Sequence, residues 1–179
     1  MAGIDPGRFV FLDETGAKTN MTRLRGRCEG GKRLVASAPH GHWCSTTLLG
    51  AMRLDGSTAA MVIESATDQD VFLAYVREVL TQTLRPGDIV VMDNLSPHKA
   101  PAVAELIRAA GADVWYLPPY SPDLNPIEQM WSKVKALLRK AAARTSEALL
   151  QAIANALDAV SASDASGWFL NCGYAGTQC

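Results

Sequence analysis

The chain has 179 residues, of which 48% are hydrophobic and 20% are charged, and its formal net charge is −1. These proportions are typical of a globular domain with a sizeable core, and they exclude a disordered or fibrous chain. No apolar run approaches the ~20 residues of a membrane span, and the N-terminus lacks a signal peptide's order, so we expect a cytoplasmic protein without membrane contact. The four cysteines form no C-x-x-C pair, which indicates free thiols rather than a disulfide framework.

The first predicted element is a short buried strand, Phe9-Val10-Phe11-Leu12, which ends at Asp13. Residues 15–42 are rich in glycine and arginine and have no clear period, which predicts a long loop. Segments 46–54 and 59–64 flank a turn and are predicted to form a hairpin.

The middle of the chain continues with a helix and a strand. Thr67 is predicted to cap the helix, in a capping box with Asp70. A second buried strand, Ile89-Val90-Val91-Met92, also ends in an aspartate, Asp93. A helix over 101–110 follows, and a glycine is predicted to stop it.

The last part of the chain contains a third core strand, over 114–117, and two further helices. Asn125-Pro126 starts the first of these helices, with proline at the first helical position. The second helix is predicted over about 146–160. This order of elements predicts a single α/β domain, in which a mixed sheet carries helices against its faces.

Three acidic residues are the candidate functional side chains. Asp13 and Asp93 each follow a buried strand, and ligands of open α/β sheets collect at such strand ends. A turn-forming role is the simpler explanation for either aspartate alone. Glu128 follows Asn125 with the spacing of a capping box, so helix chemistry alone would explain it.

Longer motifs surround these residues. D-N-L-S-P-H-K begins at Asp93, L-P-P-Y-S-P-D-L-N-P-I-E-Q-M-W ends at Trp131, and L-D-E-T-G contains Asp13. Together they resemble the DDE transposases of bacterial insertion sequences in the mariner-related superfamily. In that family 34 residues separate the second Asp from the Glu, as they do here. The resemblance implies an RNase H-like mixed sheet of antiparallel hairpin strands plus parallel strands, with helices on both faces.

The resemblance also implies a function. Residues 1–179 would be a single DDE catalytic domain without the family's N-terminal helix-turn-helix region, acting as a metal-dependent DNA endonuclease and strand transferase. Asp13 would bridge two Mg²⁺ or Mn²⁺ ions, while Asp93 and Glu128 would each help to hold one, so that all three residues are catalytic and metal-binding. The implied partners are transposon-end DNA and target DNA, with the protein a homodimer when assembled on DNA.

Basic side chains are the candidate DNA contacts despite the net charge, because they concentrate in segments 18–33 and 128–144. A solvated surface is the alternative interpretation of each segment. His98 and Lys99 match the family motif, although a loop histidine and a solvated lysine explain them equally well. The candidate contacts are Arg23, Arg25, Arg27, Lys32, Arg33, His98, Lys99, Lys135 and Arg139.

Two short motifs are interpreted as chance matches. The G-x-x-x-x-G-K pattern at 26–32 lacks the following Ser or Thr, and no strand or helix is predicted around it. His40, His42 and Cys44 lack an evident fourth zinc ligand. Two other functions stay open, namely a structure-specific RNase H-like nuclease without strand transfer, and a truncated, non-catalytic DNA-binding regulator of a full-length transposase.

Overall fold

A mixed five-stranded sheet forms the centre of the protein in the computed structural model, which describes residues 3–37, 39–41, 43–64 and 67–174. The strands are β1 (Phe9–Lys18), β2 (Ser45–Arg53), β3 (Thr58–Ile63), β4 (Ile89–Met92) and β5 (Asp113–Tyr116). Their order across the sheet is β3-β2-β1-β4-β5. The pairs β1–β2 and β2–β3 are antiparallel, whereas β1–β4 and β4–β5 are parallel. The predicted hairpin and the predicted mixed sheet are therefore both confirmed.

Helices cover both faces of this sheet. They are α1 (Gln69–Tyr75), α2 (Pro101–Ala109), α3 (Pro126–Ala141), α4 (Ser146–Asp158) and α5 (Ala162–Asn171). A five-residue π-helical turn, Val76–Leu80, continues α1. Among the residues described, no helix is both long and apolar enough to cross a membrane.

Alternation along the strands divides the core into two layers. Phe9 and Phe11 of β1 pack with buried side chains of α3, α4 and α5. Val10 and Leu12 face the other way and pack with α1 and α2. This is the two-residue period of a strand that is buried on both faces.

Helix α3 lies close against the sheet at Gly50 of β2. A Cβ atom added to Gly50 would stand 2.7 Å from Cη2 of Trp131, so only glycine leaves room for the indole ring. Gly50 pairs directly with Asp13 in the antiparallel ladder. Helix α3 therefore packs tightly on the sheet beside Asp13.

The structure corrects the predicted extent of β1. The strand continues to Lys18 because its second half pairs with β2, from Asp13 opposite Gly50 to Lys18 opposite Ser45. Asp13 consequently lies inside a strand rather than at its end, and the irregular segment predicted from residue 15 begins only after Lys18.

Helix ends also differ from the prediction. Asp68, not Thr67, caps α1, since its side chain accepts a hydrogen bond from the backbone N–H of Val71 at 2.9 Å. The helix predicted over 146–160 ends at Asp158, and α5 was not predicted. Its signal was present in the sequence, because Ser161 and Asp164 form a capping box at its start.

Candidate active site

The two aspartates face the same side of the sheet. Asp13 has the same parity in β1 as Phe9 and Phe11, which point toward α3. Asp93 directly follows β4, where Val91 points toward the same layer. Phe11 pairs with Val91 in the parallel ladder, so continuing that register by two residues brings Asp13 opposite Asp93.

Glu128 reaches this place from the first turn of α3. Asp13, Asp93 and Glu128 line one pocket of about 390 Å³. The loop 117–122 between β5 and α3 forms most of the remaining wall and makes it largely apolar. The structure thus brings the three predicted carboxylates to a common pocket.

Asp13 is the most buried of the three, with 7% of its surface exposed. Burial raises the pKa of Asp13 to about 7, and the charges of Glu128 and Asp93 act in the same direction against a backbone hydrogen bond from Glu14. Its ionised form is therefore disfavoured until a positive charge comes near.

The pKa of Asp93 is shifted in the opposite direction from that of Asp13. Burial acts to raise its pKa, but contact with His98, a hydrogen bond from the Leu95 backbone N–H at 2.9 Å, and the charge of Lys99 together lower it. Nδ1 of His98 lies 2.5 Å from Oδ1 of Asp93, in an electrostatic contact that lacks the direction of a hydrogen bond. Asp93 is thus ionised at neutral pH, with Oδ1 already engaged.

His98 itself is only 1% exposed, which corrects its prediction as a DNA contact. Its ring packs on Phe72 of α1 with centroids 4.3 Å apart, and its backbone carbonyl accepts a hydrogen bond from Tyr116. A phosphate group cannot reach a side chain enclosed in this way. His98 instead supports Asp93 from behind, whereas the neighbouring Lys99 is exposed.

The donor set suits a divalent cation such as Mg²⁺, which prefers hard oxygen ligands. Three carboxylates line one pocket, and the pKa of one of them, Asp13, is about 7. A bound cation would stabilise the ionised form of all three. Within the described ranges, however, no three His, Cys, Asp or Glu side chains stand close enough to hold a metal ion together. The three carboxylates therefore share the pocket but do not stand at ligand distance from a common point.

The predicted DNA contacts of the 18–33 segment are all exposed, but they differ in their partners. Lys32 pairs with Glu29. Arg144 donates hydrogen bonds to the backbone carbonyls of Thr19 and Met21, which ties the start of the segment to the end of α3. The exposed members are Arg23, Arg25, Arg27, Lys32 and Arg33.

On α3 the basic residues divide by role. Lys133 is used structurally, because it forms an ion pair with Asp164 of α5 at 2.5 Å. Lys135 and Arg139 are half-buried along the helix. Lys135 and Arg139 therefore lie on α3, apart in sequence from the other predicted DNA contacts in the 18–33 segment.

The G-x-x-x-x-G-K pattern and the His40, His42 and Cys44 set both lie near the protein surface where the structure describes them. Residues 26–32 are exposed and lie outside the strands and helices of the described chain. His40 and Cys44 are both exposed, while His42 lies outside the described residues.

Sequence reasoning missed the role of Asn125. It was interpreted as a capping residue, but its side chain makes no capping hydrogen bond. The backbone N–H of Glu128 instead donates to the backbone carbonyl of Asn125 at 3.1 Å. Asn125 is 4% exposed, lines the pocket, and has a buried Oδ1 without a hydrogen-bond partner among the described residues. The capping explanation of Glu128 is correspondingly weaker.

Solved structures share this architecture. The Mos1 strand transfer complex matches with a TM-score of 0.69 and 18% identity, over 94% of this chain and 53% of that chain. The catalytic domain of Mos1 mariner transposase matches with a TM-score of 0.64 and 15% identity, over 93% and 77%. The catalytic core domain of BIV integrase matches with a TM-score of 0.53 and 15% identity, over 84% and 81%. The fold is thus the RNase H-like fold predicted from the motifs.

The chain spans about half the length of the Mos1 transposase chains in the complexes it matches. No curated protein sequence matches it. A family model described as DDE superfamily endonuclease matches residues 8–150, a range that contains β1, the pocket and all of α3. On this match the chain belongs to the DDE superfamily endonucleases.

Proposed function

We propose that the chain is the catalytic domain of a DNA transposase, which cuts transposon ends and joins them to target DNA. Asp13, Asp93 and Glu128 are its catalytic carboxylates, and together they hold two Mg²⁺ or Mn²⁺ ions. The protein acts in the cytoplasm, as a homodimer assembled on DNA. Structures of Mos1 transposase described as paired-end complexes, with a left transposon end, with Mn and with Mg, support the choice of DNA and of these metals.

The observation that supports this proposal most strongly is the shared pocket. Its three acidic side chains come from the middle of β1, the end of β4 and the first turn of α3. A structural role for each residue separately would not require them to line one pocket. The raised pKa of Asp13 adds a chemical reason, because a buried carboxyl surrounded by two others is stabilised in its ionised form by a cation.

The carboxylates divide the work of binding. Asp93 is ionised at neutral pH and is oriented by His98 and the Leu95 N–H, which leaves Oδ2 for the cation. Asp13 is the most buried of the three and would contribute its carboxylate to both cations. Glu128 is exposed at the first turn of α3 and closes the pocket from the side of the helix.

Bound divalent cations would neutralise charge on the attacking and leaving oxygens of the phosphodiester. In cleavage the attacking oxygen belongs to water, and in joining it belongs to a DNA 3′-hydroxyl. Each step forms one P–O bond and breaks another, so the same three side chains serve both. The apolar wall at 117–122 excludes bulk water from one side of the pocket.

The test combines the full-length protein with Mg²⁺ or Mn²⁺ and with DNA duplexes that carry the ends of the transposon that encodes it. We expect metal-dependent nicking at the end and joining of the released 3′ end to a target duplex. Nicking without joining would support the alternative of a nuclease without strand transfer. Absence of both reactions would contradict the proposal.

Substitutions at the carboxylates make the test specific. Glu128→Gln keeps the shape at the third helical position, where glutamine serves a helix start almost as well. Asp93→Asn likewise keeps the shape of its side chain. We expect both variants to lose activity by orders of magnitude while their circular dichroism and melting behaviour are retained. Normal activity of the Glu128→Gln variant would remove Glu128 from the catalytic set.

A further inference from the structure

Asn125 carries an unexplained polar group at the pocket. It immediately precedes α3, where an asparagine side chain ordinarily accepts a hydrogen bond from the first turn. Pro126 has no N–H, and the N–H of Glu128 is taken by the backbone carbonyl of Asn125. The Asn125 amide is therefore not needed by the helix.

The amide oxygen is nevertheless buried. Asn125 is 4% exposed, and within the described part of the chain its Oδ1 has no hydrogen-bond partner. Buried polar atoms are nearly always satisfied in native proteins, so an exception at a pocket points to a missing ligand. The residue lines the same pocket as Asp13, Asp93 and Glu128.

Asn94, which lines the same pocket, differs from Asn125 in its hydrogen bonding. The Asn94 side chain also lines the pocket, but it donates a hydrogen bond to the carbonyl of Leu117 and so has a structural partner. Ser121 on the same wall donates to the carbonyl of Pro119 at 3.3 Å. Asn125 differs from both because its Oδ1 is buried and has no hydrogen-bond partner among the described residues.

We infer that the Asn125 amide oxygen is a further, neutral oxygen donor to the divalent cation held by Asp13, Asp93 and Glu128. An amide oxygen is a hard ligand of the kind that Mg²⁺ and Mn²⁺ bind. It adds a ligand without adding a negative charge, in a pocket where the charges of Glu128 and Asp93 already act against ionisation of Asp13. This inference rests on the proposed function, because it assumes that the carboxylates hold a cation.

The direct test is Mn²⁺ affinity, measured by electron paramagnetic resonance and calorimetry on the chain without DNA. Asn125→Leu keeps the approximate volume and removes the acceptor. We expect it to weaken Mn²⁺ binding by roughly tenfold to a hundredfold, the range found when a partner of a metal site is removed. We also expect its melting temperature in EDTA to equal or exceed that of the parent, because a buried unpaired group has gone.

Asn125→Asp gives a second, shape-conserving measurement that does not depend on how the leucine variant folds. A fourth carboxylate should tighten Mn²⁺ binding and lower the melting temperature in EDTA, so that Mn²⁺ raises the melting temperature by more than in the parent. An asparagine with only a helix-starting role would leave Mn²⁺ affinity unchanged in this variant, since Asp and Asn start helices equally well.

Ser121→Ala is the matched control, because it removes another oxygen from the same wall and should leave Mn²⁺ affinity unchanged. Unchanged Mn²⁺ affinity in both Asn125 variants, with normal binding by the parent, would overturn this inference and leave the proposed function intact. Failure of the parent to bind Mn²⁺ at all would overturn both.

Discussion

A single buried histidine positions one of the three carboxylates. His98 contacts Asp93 on one side and packs on Phe72 of α1 on the other. The loop that carries Asp93 is thereby fixed to the α1–α2 layer, although Asp93 faces the α3 layer. Partners of this kind orient metal-binding side chains, and their removal typically costs tenfold to a hundredfold in affinity or activity.

Replacing His98 with phenylalanine separates these two roles. The phenyl ring of the His98→Phe variant would keep the aromatic packing on Phe72 but would offer no nitrogen to Asp93. We expect unfolding by urea to change little, while metal-dependent cleavage falls by about one to two orders of magnitude. Ser96→Ala, in the same loop and exposed, is the control. Full activity of the His98→Phe variant would show that Asp93 needs no support.

At the scale of elements, the distance between α3 and β2 determines where Glu128 stands. Trp131 lies one turn after Glu128 and fits against Gly50, which has no side chain to hold the helix away. Gly50 lies opposite Asp13, so the same contact sets the helix beside the deepest carboxylate.

Gly50→Ala should therefore reduce activity, although Gly50 is not among the residues that line the pocket. The new methyl group would stand 2.7 Å from the Trp131 ring, so the helix must shift. We expect a loss of about 1–3 kcal/mol in the free energy of unfolding, typical of overpacking, together with reduced cleavage. Trp131→Phe, which removes the colliding end of the ring, should partly restore activity in the double variant. Parental activity and stability of Gly50→Ala would contradict this account.

A second link between elements joins β2 to the turn before β4. Both terminal nitrogens of the buried Arg53 guanidinium, Nη1 and Nη2, donate to Asp88, at 3.0 and 2.5 Å, and Nη2 also donates to the carbonyl of Thr83. Burial acts to raise the pKa of Asp88, but the hydrogen bonds and charge of Arg53 and the Arg85 N–H lower it below its ordinary value.

Arg53→Met should destabilise the fold in a pH-dependent manner. Because the pKa of Asp88 is lower in the folded protein, the pair stabilises the fold above about pH 4, and this contribution is lost as pH falls through the folded pKa. We expect a deficit of about 3–5 kcal/mol near neutrality, the cost of leaving a buried charge unpaired. Urea unfolding at several pH values should show the deficit shrinking toward about pH 3. An equal deficit at every pH would assign it to packing instead.

At the scale of the whole molecule, exposed positive charge is concentrated in the 18–33 segment. The 18–33 segment carries exposed arginines, and Arg144 ties its start to the end of α3. Phosphate attraction of this kind does not depend on sequence and weakens steeply as salt rises.

We therefore expect DNA binding that is weak, sensitive to salt, and nearly equal for transposon-end and random duplexes. Replacing Arg23, Arg25 and Arg27 with alanine should reduce the slope of log affinity against log salt by about 0.9 for each phosphate that is no longer neutralised. Arg77→Ala with Arg108→Ala, on the exposed surfaces of the other helical layer, is the control. Fluorescence anisotropy with both duplexes at two salt concentrations measures all of these quantities. A sequence preference that survives high salt would reveal a recognition element in the chain.

Most of the fold could be predicted because the strands and helices carry strong local periodicity. Motif spacing, together with the strands before the two aspartates, also predicted that Asp13, Asp93 and Glu128 belong together. The extent of β1 could not be predicted, since residues after Asp13 have little strand preference and are held by pairing with β2.

Features that depend on packing between distant segments were also beyond local reasoning. The burial of His98 requires Phe72, which lies in another helix, to cover its ring. Among the described residues, the side-chain oxygen of Asn125 is unpaired because the backbone N–H of Glu128 donates to the backbone carbonyl of Asn125 instead. Both residues looked like ordinary loop or capping residues in the sequence.

The placement of Asp13 in the central strand has a consequence for synthesis of the protein. β1 is synthesised before one of its neighbours, β4, and before the helix that carries Glu128, which follow it by roughly 70 and 110 residues. Pairing of such distant segments is slow and completes late in folding. A chain on which synthesis stops before α3 therefore lacks Glu128, so the pocket lined by the three carboxylates cannot form in it.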